Sequence, residues 1–88
     1  MNNVKQVIIK LEELGYTKPS HDIFGFMFGF KNPLDYNKAY IEHRQDGEGF
    51  VVKTVSSHWS VDEATEFMLQ LHRAIEHATI LNNIYFNK

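Results

Sequence analysis

The chain is 88 residues long with a formal net charge of −2. That length fits a single domain over residues 1–88, the acidic balance excludes a purely electrostatic nucleic-acid binder, and 43% apolar residues exclude a disordered chain. The lack of any cysteine excludes disulfides, thiolate zinc sites and cysteine nucleophiles.

Residues 3–14 read as a helix. Val4, Val7, Ile8, Leu11 and Leu14 follow the spacing of one helical stripe. Asn2 or Asn3 is the expected cap, and Gly15 stands where a left-handed residue closes a helix. Lys18-Pro19-Ser20 then stops it. The longest apolar run near the start is Val7-Ile8-Ile9, too short for a signal sequence or a membrane span. The expectation is a cytoplasmic chain, in its own cell or a host's, with no membrane partner.

Residues 22–30 alternate strictly. Phe24, Phe26, Phe28 and Phe30 fall at every second position, with Gly25, Met27 and Gly29 between them. The pattern predicts a strand whose rings line a core. Residues 36–44 predict a second strand and residues 49–55 a third, joined by the hairpin dipeptide Asp46-Gly47. A two-residue loop there pairs Ala39 with Thr54, Tyr40 with Lys53, Ile41 with Val52, Glu42 with Val51 and His43 with Phe50. It also pairs Lys38 with Val55.

Residues 61–81 predict a long helix opened by the capping box Ser60/Glu63, with Trp59 at the staple position before it. Val61, Ala64, Phe67, Met68, Leu71, Ala74, Ile75, Ala78 and Leu81 share one arc of its wheel. Asn82-Asn83 is the expected end, and Leu69 and Ile80 lie opposite the arc. The expected class is therefore α+β, ordered α-β-β-β-α, with a three-stranded antiparallel meander and both helices on one face. Phe26, Phe28, Ile41, Val52, Phe67, Leu71 and Ile75 are its expected core. The order is similar to that of double-stranded-RNA-binding domains. Their last helix begins with lysines, whereas Ser60-Val61-Asp62-Glu63-Ala64 is acidic here. Element order alone is shared, and no family follows from it.

No catalytic set, cofactor motif or metal-ligand spacing is present. His72 and His77 are five apart and point in different directions on a helix. His43 is expected beside Phe50 in the core, and folding can bring His21-Asp22 near His58. The expectation is a protein that is not an enzyme and holds no cofactor or metal.

Two surfaces are candidates for binding. On the outer sheet face, Tyr36, Lys38, Tyr40, Arg44 and Lys53 interleave aromatic and basic groups, which suits a protein interface or single-stranded RNA or DNA. At the start of the long helix, Asp62, Glu63 and Glu66 with Leu69 form an acidic surface suited to a basic groove. Leu69, Ile80 and the tail residues Ile84, Tyr85 and Phe86 also suit a homodimer contact. Lysine outnumbers arginine seven to two, as in AT-rich genomes. The leading expectation is a small binding protein that regulates or inhibits a protein partner. A phage or mobile-element inhibitor of a host nucleic-acid-handling enzyme is one concrete form. The alternative is a single-stranded nucleic-acid-binding module that uses the open sheet face.

Overall fold

The Asp46-Gly47 turn organises the centre of the molecule. In the computed structural model, which describes residues 3–18, 29–33, 35–44, 46–55 and 57–87, it joins β1 (Ala39–Arg44) to β2 (Gly49–Thr54). Gly47 takes φ +96°, which a two-residue turn of this kind needs. Asp46 fixes the turn by accepting from the Glu48 N–H at 3.2 Å and from Arg44 Nη2 at 2.6 Å. The antiparallel register is Ala39 to Thr54, Tyr40 to Lys53, Ile41 to Val52, Glu42 to Val51, His43 to Phe50 and Arg44 to Gly49. This is the register that the dipeptide predicts.

The sheet has two strands among the described residues, not three, and the element order is α-β-β-α. Most of the predicted first strand, with Phe24, Phe26 and Phe28, lies outside the described residues. Its described end is not a strand. Gly29 takes φ +77° in a bend, and Phe30 turns into the core. A left-handed glycine breaks the alternation that a strand requires. One isolated antiparallel bridge, Thr17 to Lys31, ties this segment to the end of the first helix.

α1 (Val4–Glu13) buries Val7 and Leu11 from its apolar stripe. It closes as Gly15 suggests, at φ +96°, with the Tyr16 N–H donating to Leu11 O and the Gly15 N–H to Glu12 O. Asn3 does not cap it with its side chain. Its amide instead donates to Ile84 O and Asn87 O at the far end of the chain. The α1 backbone approaches that of the last helix and neither strand. The two helices therefore do not both lie on the sheet.

α2 (Val61–Tyr85) opens with the full capping box, Glu63 N–H to Ser60 Oγ at 3.2 Å and Ser60 N–H to Glu63 Oε1 at 3.1 Å. Trp59 packs on Phe67, with ring centroids 4.6 Å apart. The helix runs through Asn82-Asn83 instead of stopping there. Its buried residues are Gln70, Ala74, His77, Ala78 and Leu81. The arc has turned relative to the hydrophobic pattern. Ala74, Ala78 and Leu81 go inside as expected, but Ile75 and Met68 do not. Of the expected core, Ile41 is fully buried, while Val52, Phe67 and Leu71 are half-buried. No described helix is long and apolar enough to cross a membrane.

Candidate protein-binding surface

The rotation of α2 follows from what the hairpin asks of it. In the observed register, Ile41 on β1 and Phe50 on β2 turn their backbone groups outward, away from the partner strand. Each is met by an asparagine amide. Asn82 Nδ2 donates to Phe50 O at 2.9 Å, and the Phe50 N–H donates to Asn82 Oδ1 at 2.8 Å. On the other edge, Asn32 Nδ2 donates to Ile41 O at 3.2 Å and the Ile41 N–H donates to Asn32 Oδ1 at 3.3 Å. Gln70 Oε1 accepts from the N–H groups of Lys38 and Ala39, at 2.7 and 3.2 Å. Two side-chain amides of α2 thus stand in for neighbouring strands, and both must face inward. Gly49 lets the Asn82 contact form. A Cβ there would lie 2.5 Å from Asn82 Oδ1 and 2.6 Å from the Phe86 ring, at φ +74°.

The inner face of α2 also carries His77. Its Nδ1 shares a 2.9 Å hydrogen bond with the Tyr16 hydroxyl, and Tyr36 stacks on its ring at 6.0 Å. Burial holds the His77 pKa below its ordinary value and raises that of Tyr16. Both groups are therefore neutral near pH 7, and the cluster ties α1, the turn before β1 and α2 together. His43 packs edge-on to Phe50 at 4.8 Å and to Tyr85 at 5.2 Å, and burial lowers its pKa as well.

The sheet-face candidates do not assemble as one surface. Tyr36 and Lys38 are each 8% exposed. Tyr36 belongs to the His77 cluster, and Lys38 Nζ reaches Glu66 Oε2 on α2 at 3.1 Å. Regular pairing starts only at Ala39, and a bend at Asn37-Lys38 breaks the two-residue alternation before it. Tyr40, Arg44 and Lys53 keep the outer face. Their cations are already paired, Arg44 with Asp46 and Lys53 with Glu42 at 3.3 Å.

The helix candidates lie together in the open. Asp62, Glu63 and Glu66 are exposed on the first two turns of α2, and Leu69, 57% exposed, follows on the same flank. The Ser60 N–H holds the Glu63 carboxylate below the usual range and fixes its position. Glu66 keeps half its side chain exposed beyond Lys38. Around the helix from this flank, Val61, Met68 and Ile75 are 83%, 61% and 50% exposed. The sequence pattern had assigned those three to the core. Elsewhere a groove of about 460 Å³ runs between α1 and the end of α2, lined by four amide side chains, Lys10, Ile9 and Ile84. His58 is exposed, and His21-Asp22 lies outside the described residues. Among the described residues no three His, Asp or Glu side chains gather as a metal site would need. Comparison with family models, curated proteins and solved structures returns no match.

Proposed function

We propose that this chain is a non-enzymatic binding protein that regulates or inhibits a protein partner, and that the start of α2 is its working surface. The observation that carries the reading is the exposed flank of Asp62, Glu63, Glu66 and Leu69 on a helix held rigid by its capping box. Carboxylates around one apolar side chain suit a partner with a basic groove and an apolar pocket. A nucleic-acid-handling enzyme presents such a groove. The sheet face supports the nucleic-acid alternative less well, because Lys38 is buried against Glu66 and its remaining cations are paired with Glu42 and Asp46. Single-stranded binders need free cations along the strand path.

The test is affinity capture from source cells with two double variants. Glu66→Lys/Leu69→Lys should lose the specifically captured protein, and Tyr40→Ala/Lys53→Glu should keep it. The reverse result overturns the reading. So does binding of labelled RNA or DNA with a steep salt dependence.

A further inference from the structure

The outward backbone groups of the hairpin are not all closed. Ile41, Phe50 and Ala39 are buried, and they meet the amides of Asn32, Asn82 and Gln70. The same register turns Val52 and Thr54 outward on the less buried half of β2. Among the described residues, no hydrogen bond reaches the outward N–H and C=O groups of either one. They form a row of donors and acceptors, with the two residues about 7 Å apart along the strand. We infer that this edge takes an extended segment of a protein partner, which pairs with β2 through its backbone. The inference rests on reading the chain as a protein-binding protein, and it names a second surface, apart from the start of α2.

The occupant follows from the row itself. Donors and acceptors that alternate at strand spacing are matched by another extended backbone, as in recognition by strand addition. The length of the contact is bounded at both ends. Asn82 already holds both outward groups of Phe50, and β2 stops at Thr54. About four backbone hydrogen bonds therefore fill the edge. The side chains beside it select among extended segments. Lys53 stands on the outer face between the half-buried Val51 and the exposed Val55. An acidic side chain opposite Lys53, with β-branched neighbours beside the two valines, fits that row. A second copy of the chain fits it poorly. Joining Val52 of one β2 to Thr54 of another sets Lys53 against Lys53, and like charges directly opposite one another destabilise a pair of strands.

Phage-displayed random peptides selected on the full chain supply the probe, and the best of them is synthesised and titrated by NMR. The expected result is a dissociation constant below about 1 mM, with the largest amide shifts at Val52 and Thr54. Thr54→Pro removes an outward donor and leaves the bonds to β1 in place, a change that edge strands tolerate. It should weaken binding at least about tenfold with little change in the thermal melt. The peptide supplies a second measurement that does not depend on how Thr54→Pro folds. Methylating the alternate peptide nitrogens that face β2 should abolish binding, and methylating the intervening ones should not. Glu66→Lys/Leu69→Lys should bind the peptide as wild type does. Selection that yields no peptide binding at about 1 mM overturns the inference. So do shifts centred on α2, binding indifferent to which nitrogens are methylated, or edge shifts that appear when the chain alone is concentrated, which would give the edge to a second copy. A chain whose edge takes no peptide but which still captures a partner through Glu66 and Leu69 would reject the edge and leave the proposed function standing.

Discussion

The two sides of α2 do not sort by polarity in the usual way. Its inner side buries Gln70 and His77 among Ala74, Ala78 and Leu81 and holds the half-buried amide of Asn82, while its outer side exposes Val61, Met68, Leu69 and Ile75. A two-stranded ribbon leaves backbone groups unpaired on both edges, and a buried unpaired group costs more than a lost apolar contact of modest size. The helix therefore turns Gln70 and Asn82 inward, and Met68 and Ile75 are carried outward as a consequence. What is gained on the inside is a closed hairpin. What results on the outside is a row of exposed apolar side chains.

The largest effect should come from making the inner side apolar. Gln70→Leu removes the acceptor shared by the Lys38 and Ala39 N–H groups and should destabilise by about 2–4 kcal/mol, read by urea denaturation. A neutral or stabilising result would show that the amide is not what orients the helix. The two edge clamps sharpen the same comparison. Asn82→Ala should cost about 2–3 kcal/mol, since Phe50 is buried and its outward groups bond to Asn82. Asn32→Ala should cost less, about 1–2 kcal/mol, because its two bonds are longer at 3.2 and 3.3 Å. Equal losses would mean that the helix clamp has no special part in setting the face of α2.

The histidines give a smaller effect with a defined sign. Burial holds His77 and His43 below the ordinary imidazole value, so the unfolded chain binds protons more readily than the folded one. Their contribution is fully present above pH ~6.5 and is lost as the pH falls from there through the folded-state values. The melting temperature should drop between pH 7.5 and 5.5, and His77→Gln should make that drop shallower. A melt that is flat over this window would contradict a buried neutral His77.

Much of the hairpin was legible because one dipeptide pins it. Asp46-Gly47 fixes the loop length, and every strand pair follows by counting. The Ser60/Glu63 box and the Gly15 closure were legible for the same reason, since each is a local contact between near neighbours. The face of α2 was not. A wheel ranks side chains by apolarity, and no local signal says that Ile41, Phe50, Lys38 and Ala39 will need amides from elsewhere. Asn82 read as a helix end because asparagine favours ends, yet its partner is 32 residues away. Tyr36 and Lys38 were placed outward by extending the strand alternation back past Ala39, where the bend at Asn37-Lys38 ends it. The exposure of Asp62, Glu63 and Glu66 was legible, because the capping box fixes where α2 begins and the first turns of a helix need no long-range partner.

The most direct test of this orientation of α2 is the stability of Met68→Gln/Ile75→Gln, measured by urea denaturation. If the outer side of α2 faces solvent, the double change should move the unfolding free energy by no more than about 0.5 kcal/mol, as surface substitutions do. A loss of about 3 kcal/mol or more would place both side chains in the core and contradict the account.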